Sequence, residues 1–186
     1  KAATMDRGIE TPMMMVLPTL EMAKRTSKQR IAPMIESMPV LSERIKDPRS
    51  RDSGNTQLVK EFPNGVLIMT GANSATGLRS MPARFLFLDE IDAFDDDVDG
   101  EGNPINLAIK RTSTFSGSRK IFMVSTPNIK GESKIESAYE ESDQRCYYLP
   151  CLSCGHYQVL TWERIKFENR DPKTARFECE ACGYQM

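Results

Sequence analysis

Four of the five cysteines fall in two short repeats, Cys151-Leu-Ser-Cys154-Gly and Cys179-Glu-Ala-Cys182-Gly. A CxxC turn lets two thiolates reach one metal at about 2.3 Å, and the glycine after it permits the tight backbone. Two such turns complete a tetrahedral site of four thiolates, which points to structural zinc. A redox dithiol is the weaker reading, because neither pair opens a long helix. His156, the one histidine, offers a substitute ligand, but four thiols already fill the shell. With no open coordination position, this metal should stabilise rather than catalyse. Cys146 stands outside the pattern and is expected to be a buried strand residue.

A second cluster is acidic. The apolar run Phe85-Leu-Phe-Leu88 leads straight into Asp89-Glu90. An apolar strand ending in Asp-Glu has the form of a Walker B motif. Asp89 then lies where it can hold the water shell of Mg²⁺ on a nucleoside triphosphate. Glu90 can orient and polarise the water that attacks the γ-phosphate. The plainer alternative is a strand that ends in a charged turn. A second apolar run, Ile121-Phe-Met-Val124, ends in Ser125-Thr126-Pro127. If the two strands are neighbours, the hydroxyls of Ser125 and Thr126 sit beside Asp89 and can sense the γ-phosphate; otherwise Thr-Pro merely stops a strand. Arg79, in the loop Gly77-Leu-Arg-Ser80, could neutralise charge on a transferring phosphoryl group, in its own subunit or a neighbour's, or be an ordinary surface arginine.

Two patterns limit this reading. No GxxxxGK[ST] phosphate loop occurs in the sequence. The glycines of residues 71–77 (GANSATG) have no lysine after them and directly precede the Asp-Glu strand. The chain is therefore expected to be a fragment, with the phosphate loop cut away or degenerate. Asp95, Asp97, Asp99 and Gly100 match the opening of a calcium-binding EF-hand loop. The position that requires glutamate is Asn106, however, and Pro104 intrudes, so an exposed acidic loop is the better reading.

These residues need a scaffold. Met13 to Leu17 reads as a buried strand ending at Pro18. Thr19 should cap a helix through about Arg30, with Pro33 forcing a break or restart. Ile31, Met34, Ile35 and Met38 recur at helical spacing and are expected to pack inward. Residues 42–56, with Arg44, Lys46, Arg49 and Arg51, read as a polar basic loop. Thr56–Lys60 and Val66–Thr70 look like strands joined by the turn Pro63-Asn64-Gly65. Residues 71–77 read as flexible. Asn103 and Pro104 open a helix, and Glu132–Glu141 reads as another. Apolar strands alternating with helices predict an α/β fold with a mostly parallel sheet covered on both faces. Such sheets bind ligands at the carboxyl ends of their strands. From Cys146 the texture changes to short strands and metal-type turns. Residues 1–145 are thus expected to form one domain and 146–186 a small zinc-ribbon-like module.

The composition suits a soluble globular chain: 186 residues, 39% hydrophobic and 27% charged. No apolar run approaches the roughly 20 residues that cross a bilayer, and no signal-peptide pattern is seen. With 25 basic and 26 acidic residues, the net charge is −1. Any contact with nucleic acid must therefore come from a local basic patch.

Residues 18–35, 73–108, 124–131 and 147–158 together resemble the large terminase subunit of lambda-type tailed phages. The combination of an acidic strand tip, a Ser-Thr-Pro strand tip and a cysteine knuckle, in this order, carries the likeness. The resemblance implies a RecA-like P-loop NTPase core that couples ATP hydrolysis to driving viral double-stranded DNA into a procapsid, beside a separate endonuclease domain. It makes Asp89 the carboxylate on the Mg²⁺ side, Glu90 the catalytic glutamate, Ser125 and Thr126 part of a coupling motif, and Arg79 a trans-acting finger. ATP, Mg²⁺ and structural Zn²⁺ are the implied cofactors. The small terminase subunit, the portal and procapsid and further copies of the chain are the implied partners. The setting is the cytoplasm of a bacterial host, with no role for a membrane. Two rival readings remain: a DNA-binding or assembly module without ATPase activity of its own, and another helicase-like ATPase.

Overall fold

The computed structural model describes residues 11–46 and 54–186. Arg49 and Arg51 of the basic loop lie outside the described residues. The chain divides into two compact units, Lys1–Ala138 and Tyr139–Met186.

The first unit is built on a five-stranded sheet. Its strands are β1 (Thr11–Leu17), β2 (Val59–Phe62), β3 (Gly65–Gly71), β4 (Phe85–Asp89) and β5 (Lys120–Val124), in the order β2-β3-β1-β4-β5. β1 pairs in parallel with β3 and β4, and β4 in parallel with β5; only the β2–β3 hairpin is antiparallel. The mixed α/β fold with a mostly parallel sheet agrees with the sequence reading. Asn64 carries the hairpin turn at φ +63°, a left-handed position that asparagine tolerates. The first strand of the hairpin starts at Val59 rather than Thr56.

Alternation along the strands sorts side chains onto two faces. Met14 and Val16 of β1 lie level with Leu86 and Leu88 of β4, and all four are buried. They form one core with Ala75, Leu78, Ala108 and Ile91. These come from α4 (Ala75–Leu78), α5 (Pro104–Lys110) and the turn after β4. Asn103 caps α5 by accepting the Ile105 and Asn106 amides, with Pro104 in the first turn, as the sequence predicts. The opposite face buries Leu17 and Met69 against Ala23 of α1 (Leu20–Thr26). Thr19 caps α1 through the Met22 amide.

Several expectations are corrected. Pro33 does mark the expected restart, but the helix before it changes type sooner than Arg30. A π-helical turn over Ser27–Ile31 leads into α2 (Ala32–Ser37), whose first turn accommodates Pro33, and α3 (Pro39–Ser42) follows. The helical spacing does not bury its apolar residues evenly: Met34 and Met38 are exposed. Residues 71–77 are not an irregular loop. Ser74 caps α4 through the Gly77 amide, and a Cβ on Gly71 would lie 2.3 Å from the Leu20 backbone nitrogen. The glycines are there for close packing rather than for mobility.

The sheet is also not covered everywhere. Phe87 and Phe122 are register partners whose rings meet edge to face at 6.5 Å, yet Phe122 is 60% exposed. β5 has β4 on one side and, among the described residues, no strand on the other.

The second unit carries β6 (Tyr148–Pro150) paired with β7 (Tyr157–Val159), and β8 (Ile165–Lys166) paired with β9 (Arg176–Phe177), both antiparallel. Its apolar core is small; among its buried residues are Cys151, Gln158, Phe177 and Cys179. Cys146 is exposed and lies outside the strands, which corrects the expectation of a buried strand position.

Candidate functional site

The carboxyl ends of β1, β3, β4 and β5 lie along one rim of the sheet, because these strands are parallel. Leu17 is level with Gly71, Val16 with Leu88, and Asp89 with Val124. Neighbouring strands are about 4.8 Å apart. Asp89-Glu90 and Ser125-Thr126 therefore leave the sheet side by side. The structure brings these four residues to one place.

Asp89 is the last residue of β4 and is half-buried. Glu90 is exposed and left-handed, at φ 57° and ψ 50°. That conformation costs an L-residue with a Cβ about 1–2 kcal/mol, so neighbouring contacts must hold it. On its far side Ile91 is buried in the core, and Ile91–Ala93 form a single 3₁₀ turn.

The turn is tied to the loop after β5. The Asp92 amide donates to Ser125 Oγ at 3.1 Å. Asp92 Oδ2 accepts the Asn128 amide at 3.1 Å, and Oδ1 accepts the Ile135 amide at 2.9 Å. Ile135 lies in the first turn of α6 (Lys134–Glu140), and the buried Ser133 caps that turn by accepting the Glu136 amide at 3.1 Å. Burial tends to raise the Asp92 carboxyl pKa. The Ser133 hydroxyl and the amides of Ile135, Asn128 and Lys134 outweigh it and hold the pKa below its usual 3.8. Lys134 Nζ adds a hydrogen bond to the Phe94 carbonyl and an ion pair with Asp96 at 2.9 Å. Asp92 lies in the acidic stretch that follows Glu90, where the sequence alone gives it no role. The one available signal was a third carboxylate two residues beyond Glu90.

Arg79 ends α4 and pairs with Glu101 at 2.7 Å, in the loop that follows the 3₁₀ turn. Its side chain is 51% exposed. It is thus joined to the segment downstream of Asp89 and Glu90 rather than to either carboxylate. Within the acidic run Asp97 accepts the amides of Gly100 and Gly102, both at 2.7 Å. That is a self-capped surface turn.

In the second unit the two cysteine knuckles share one backbone plan. Gly155 and Gly183 sit at φ 75° and 70°, and each donates its amide to the carbonyl of the first cysteine, Cys151 or Cys179, at 3.0 Å. The Cys151 and Cys179 amides then reach the carbonyls of His156 at 2.8 Å and Tyr184 at 2.9 Å. The four Sγ atoms of Cys151, Cys154, Cys179 and Cys182 all lie within 4.8 Å of one another. Cys151 and Cys182, and likewise Cys154 and Cys179, have sulfurs 3.8 Å apart. Sulfurs about 2.3 Å from a tetrahedral metal are about 3.8 Å from each other, so the cage fits such an ion. His156 lies outside the cage: its Nε2 meets Glu180 Oε1 at 2.7 Å. Gln158 Oε1 accepts the Glu180 amide at 2.9 Å, which clasps the knuckles together.

The cage also polarises its thiols. The Cys154 amide, then that of Ser153, lowers the Cys151 thiol against burial. Burial opposes ionisation of Cys179, but the amides of Cys182 and Ala181 bring it down to about 6. The Tyr184 amide favours the Cys182 thiolate, yet burial and the three other thiols push that group up to about 12. Four sulfurs this close cannot all ionise without a cation between them.

Comparison with known proteins identifies the family. Residues 7–186 match the family described as "Phage terminase large subunit gpA, ATPase domain". The chain is similar to the terminase large subunit of Enterobacteria phage P21, with 30% identity over 174 residues, covering 89% of this chain and 27% of that protein. It is similar to the terminase large subunit of Escherichia phage lambda, with 30% identity over 172 residues, covering 88% of this chain and 27% of that protein. The chain thus spans about a quarter of the length of these relatives. No helix among the described residues is long and apolar enough to cross a membrane.

Proposed function

The chain belongs to the family of phage terminase large subunit gpA ATPase domains, and from that premise we propose that it forms the hydrolytic core of a motor that packages double-stranded viral DNA. The observation that carries this is the parallel register of Asp89 with Val124, which sets Asp89-Glu90 beside Ser125-Thr126 at the carboxyl rim of the sheet. In this reading the core is of the RecA-like P-loop type, and residues 1–145 supply it. Glu90 orients the water for in-line attack on the γ-phosphate of ATP. Asp89 is the residue that would hold Mg²⁺, and the ion would neutralise phosphate charge when bound. Arg79 stabilises charge on the transferring group from a neighbouring subunit. Ser125 and Thr126 register the state of the phosphate and pass it to the loop after β5.

Residues 146–186 form a zinc-ribbon-like module, with Zn²⁺ held by Cys151, Cys154, Cys179 and Cys182 as a structural ion. The full-length subunit acts as a homo-oligomer with the small terminase subunit and the portal of the procapsid, in the cytoplasm of the bacterial host, and carries an endonuclease elsewhere in its sequence. Since no phosphate loop occurs within these 186 residues, the isolated chain binds ATP poorly and hydrolyses it weakly or not at all. Phosphate release tests the reading. The natural polypeptide that carries this sequence should hydrolyse ATP at a rate that DNA raises. Absence of hydrolysis there would overturn it, while full turnover by residues 1–186 alone would overturn only the inactivity of the isolated chain.

A further inference from the structure

We infer that Asp92 is a positioning residue that latches the Glu90 turn to the loop after β5 and so fixes where the Glu90 carboxylate stands. The inference rests on the proposed ATPase reading. It begins from a mismatch: Glu90 is exposed and left-handed, so nothing at its own side chain explains why the backbone stays there. Two anchors bracket it. On one side Asp89 is locked by strand pairing to Val124. On the other, Asp92 makes three separate ties to segments distant in sequence: its amide to Ser125 Oγ, and its two carboxylate oxygens to the amides of Asn128 and Ile135.

The three ties have one geometric effect. Ser125 and Asn128 bracket Thr126-Pro127, the turn that ends β5. Ile135 is in the first turn of α6, so the same carboxylate also fastens the far end of the loop. One residue, through its backbone amide to Ser125 and its carboxylate to Asn128 and Ile135, therefore fixes the Glu90 turn, the Ser-Thr-Pro segment and the start of α6 with respect to each other. Hydrogen bonds to an ionised acceptor are short and strong, and the amides they engage would otherwise be orphans of a loop and a helix start. Lys134 reinforces the join from the other direction by reaching back to the Phe94 carbonyl and Asp96. Burial of Ile91 anchors the chain as well, but it fixes one position and not the orientation of the turn toward Ser125.

The experiment compares wild type, Asp92→Asn and Asp92→Ala in the natural polypeptide that carries this sequence. Amide hydrogen exchange reads the latch directly: exchange at Asn128 and Ile135 should quicken by about tenfold in both variants, with the amides of β1 unchanged. Steady-state kinetics reads positioning. The kcat for ATP should fall by roughly 10–100-fold, more for Ala than for Asn, with KM and the affinity for a non-hydrolysable ATP analogue within about twofold. Unchanged exchange at Asn128 and Ile135 would overturn the latch. Quickened exchange with kcat unaltered, or loss of affinity and melting temperature in step with kcat, would overturn the positioning role. If wild type itself does not hydrolyse ATP, the ATPase reading fails and the positioning role with it, while exchange still decides whether the latch exists.

Discussion

Asp89 and Val124 are partners in the parallel register of β4 and β5. This one pairing brings two separate strand ends side by side. It also makes the roles of the residues beyond it separable by substitution.

Glu90→Gln keeps the size of the side chain and removes the base. In the natural polypeptide, kcat for ATP should fall by about 10²–10⁴-fold with nucleotide affinity unchanged. A phosphate-release assay beside a binding titration checks this. Hydrolysis near the wild-type rate would remove Glu90 from the mechanism.

The Asp92 carboxyl pKa is depressed below 3.8 in the folded chain. A group with a lowered folded pKa contributes stability that is present above its unfolded pKa and fades as pH falls through the folded one. Wild type should therefore lose stability more steeply than Asp92→Asn as pH falls below about 4, since the variant has no proton to gain. Urea midpoints across that range give the two slopes. Equal slopes would show that the Asp92 carboxylate is no better held in the fold than in the unfolded chain.

How much of this was legible beforehand depends on where each residue's partners lie. β1, β4 and β5 are written as apolar runs with abrupt stops, which suffices to read them as parallel strands, though β5 at the edge is partly exposed. The Pro63-Asn64-Gly65 turn and the Asn103-Pro104 cap are local signals, settled within a few residues. The double CxxCG is legible because a thiolate cage depends on spacing. Asp92 was not, since its partners are 33, 36 and 43 residues away and only the tertiary fold delivers them. Residues 71–77 misled for a different reason: glycine serves close packing as readily as it serves freedom, and only the neighbours at Leu20 and Thr70 decide which. The exposure of Met34 and Met38 likewise follows from what the helix packs against, which periodicity does not contain.

Removing the metal should unfold the second unit selectively. With few buried residues to support it, Tyr139–Met186 should rely on a metal held by the cysteine cage. Purified protein should hold about one zinc per chain. Chelation, or Cys179→Ser, should expose residues 139–186 to protease while the sheet unit stays resistant. Equal resistance in the metal-free protein would dismiss a structural metal.

Arg79 and Glu101 offer a contrast between stability and chemistry. Their pair is largely exposed, so Glu101→Ala should shift unfolding free energy by less than about 1 kcal/mol. Arg79→Ala should lower kcat by about 10³-fold if the guanidinium faces the transferring phosphoryl group. Mixing Arg79→Ala subunits with Glu90→Gln subunits then reports whether the arginine acts across a subunit boundary. No recovery of hydrolysis in the mixture would place it in its own subunit.

Gly71→Ala tests close packing at the end of β3. The added methyl would sit 2.3 Å from the Leu20 backbone nitrogen and 2.6 Å from the Thr19 carbonyl carbon, neither of which can rotate away. A destabilisation of about 3 kcal/mol is expected by thermal or urea unfolding. By contrast, Gly117→Ala meets open space and should be nearly neutral.

The outer margin of β5 has a practical meaning for anyone handling this protein. An edge that no strand among the described residues pairs, beside the half-bare Phe122 and Val124, is adhesive toward any extended chain, including another copy of itself. Preparations that leave that margin bare should precipitate on concentration. A lysine substituted for Phe122 would blunt the tendency without disturbing the strand tips on which the proposed hydrolysis depends.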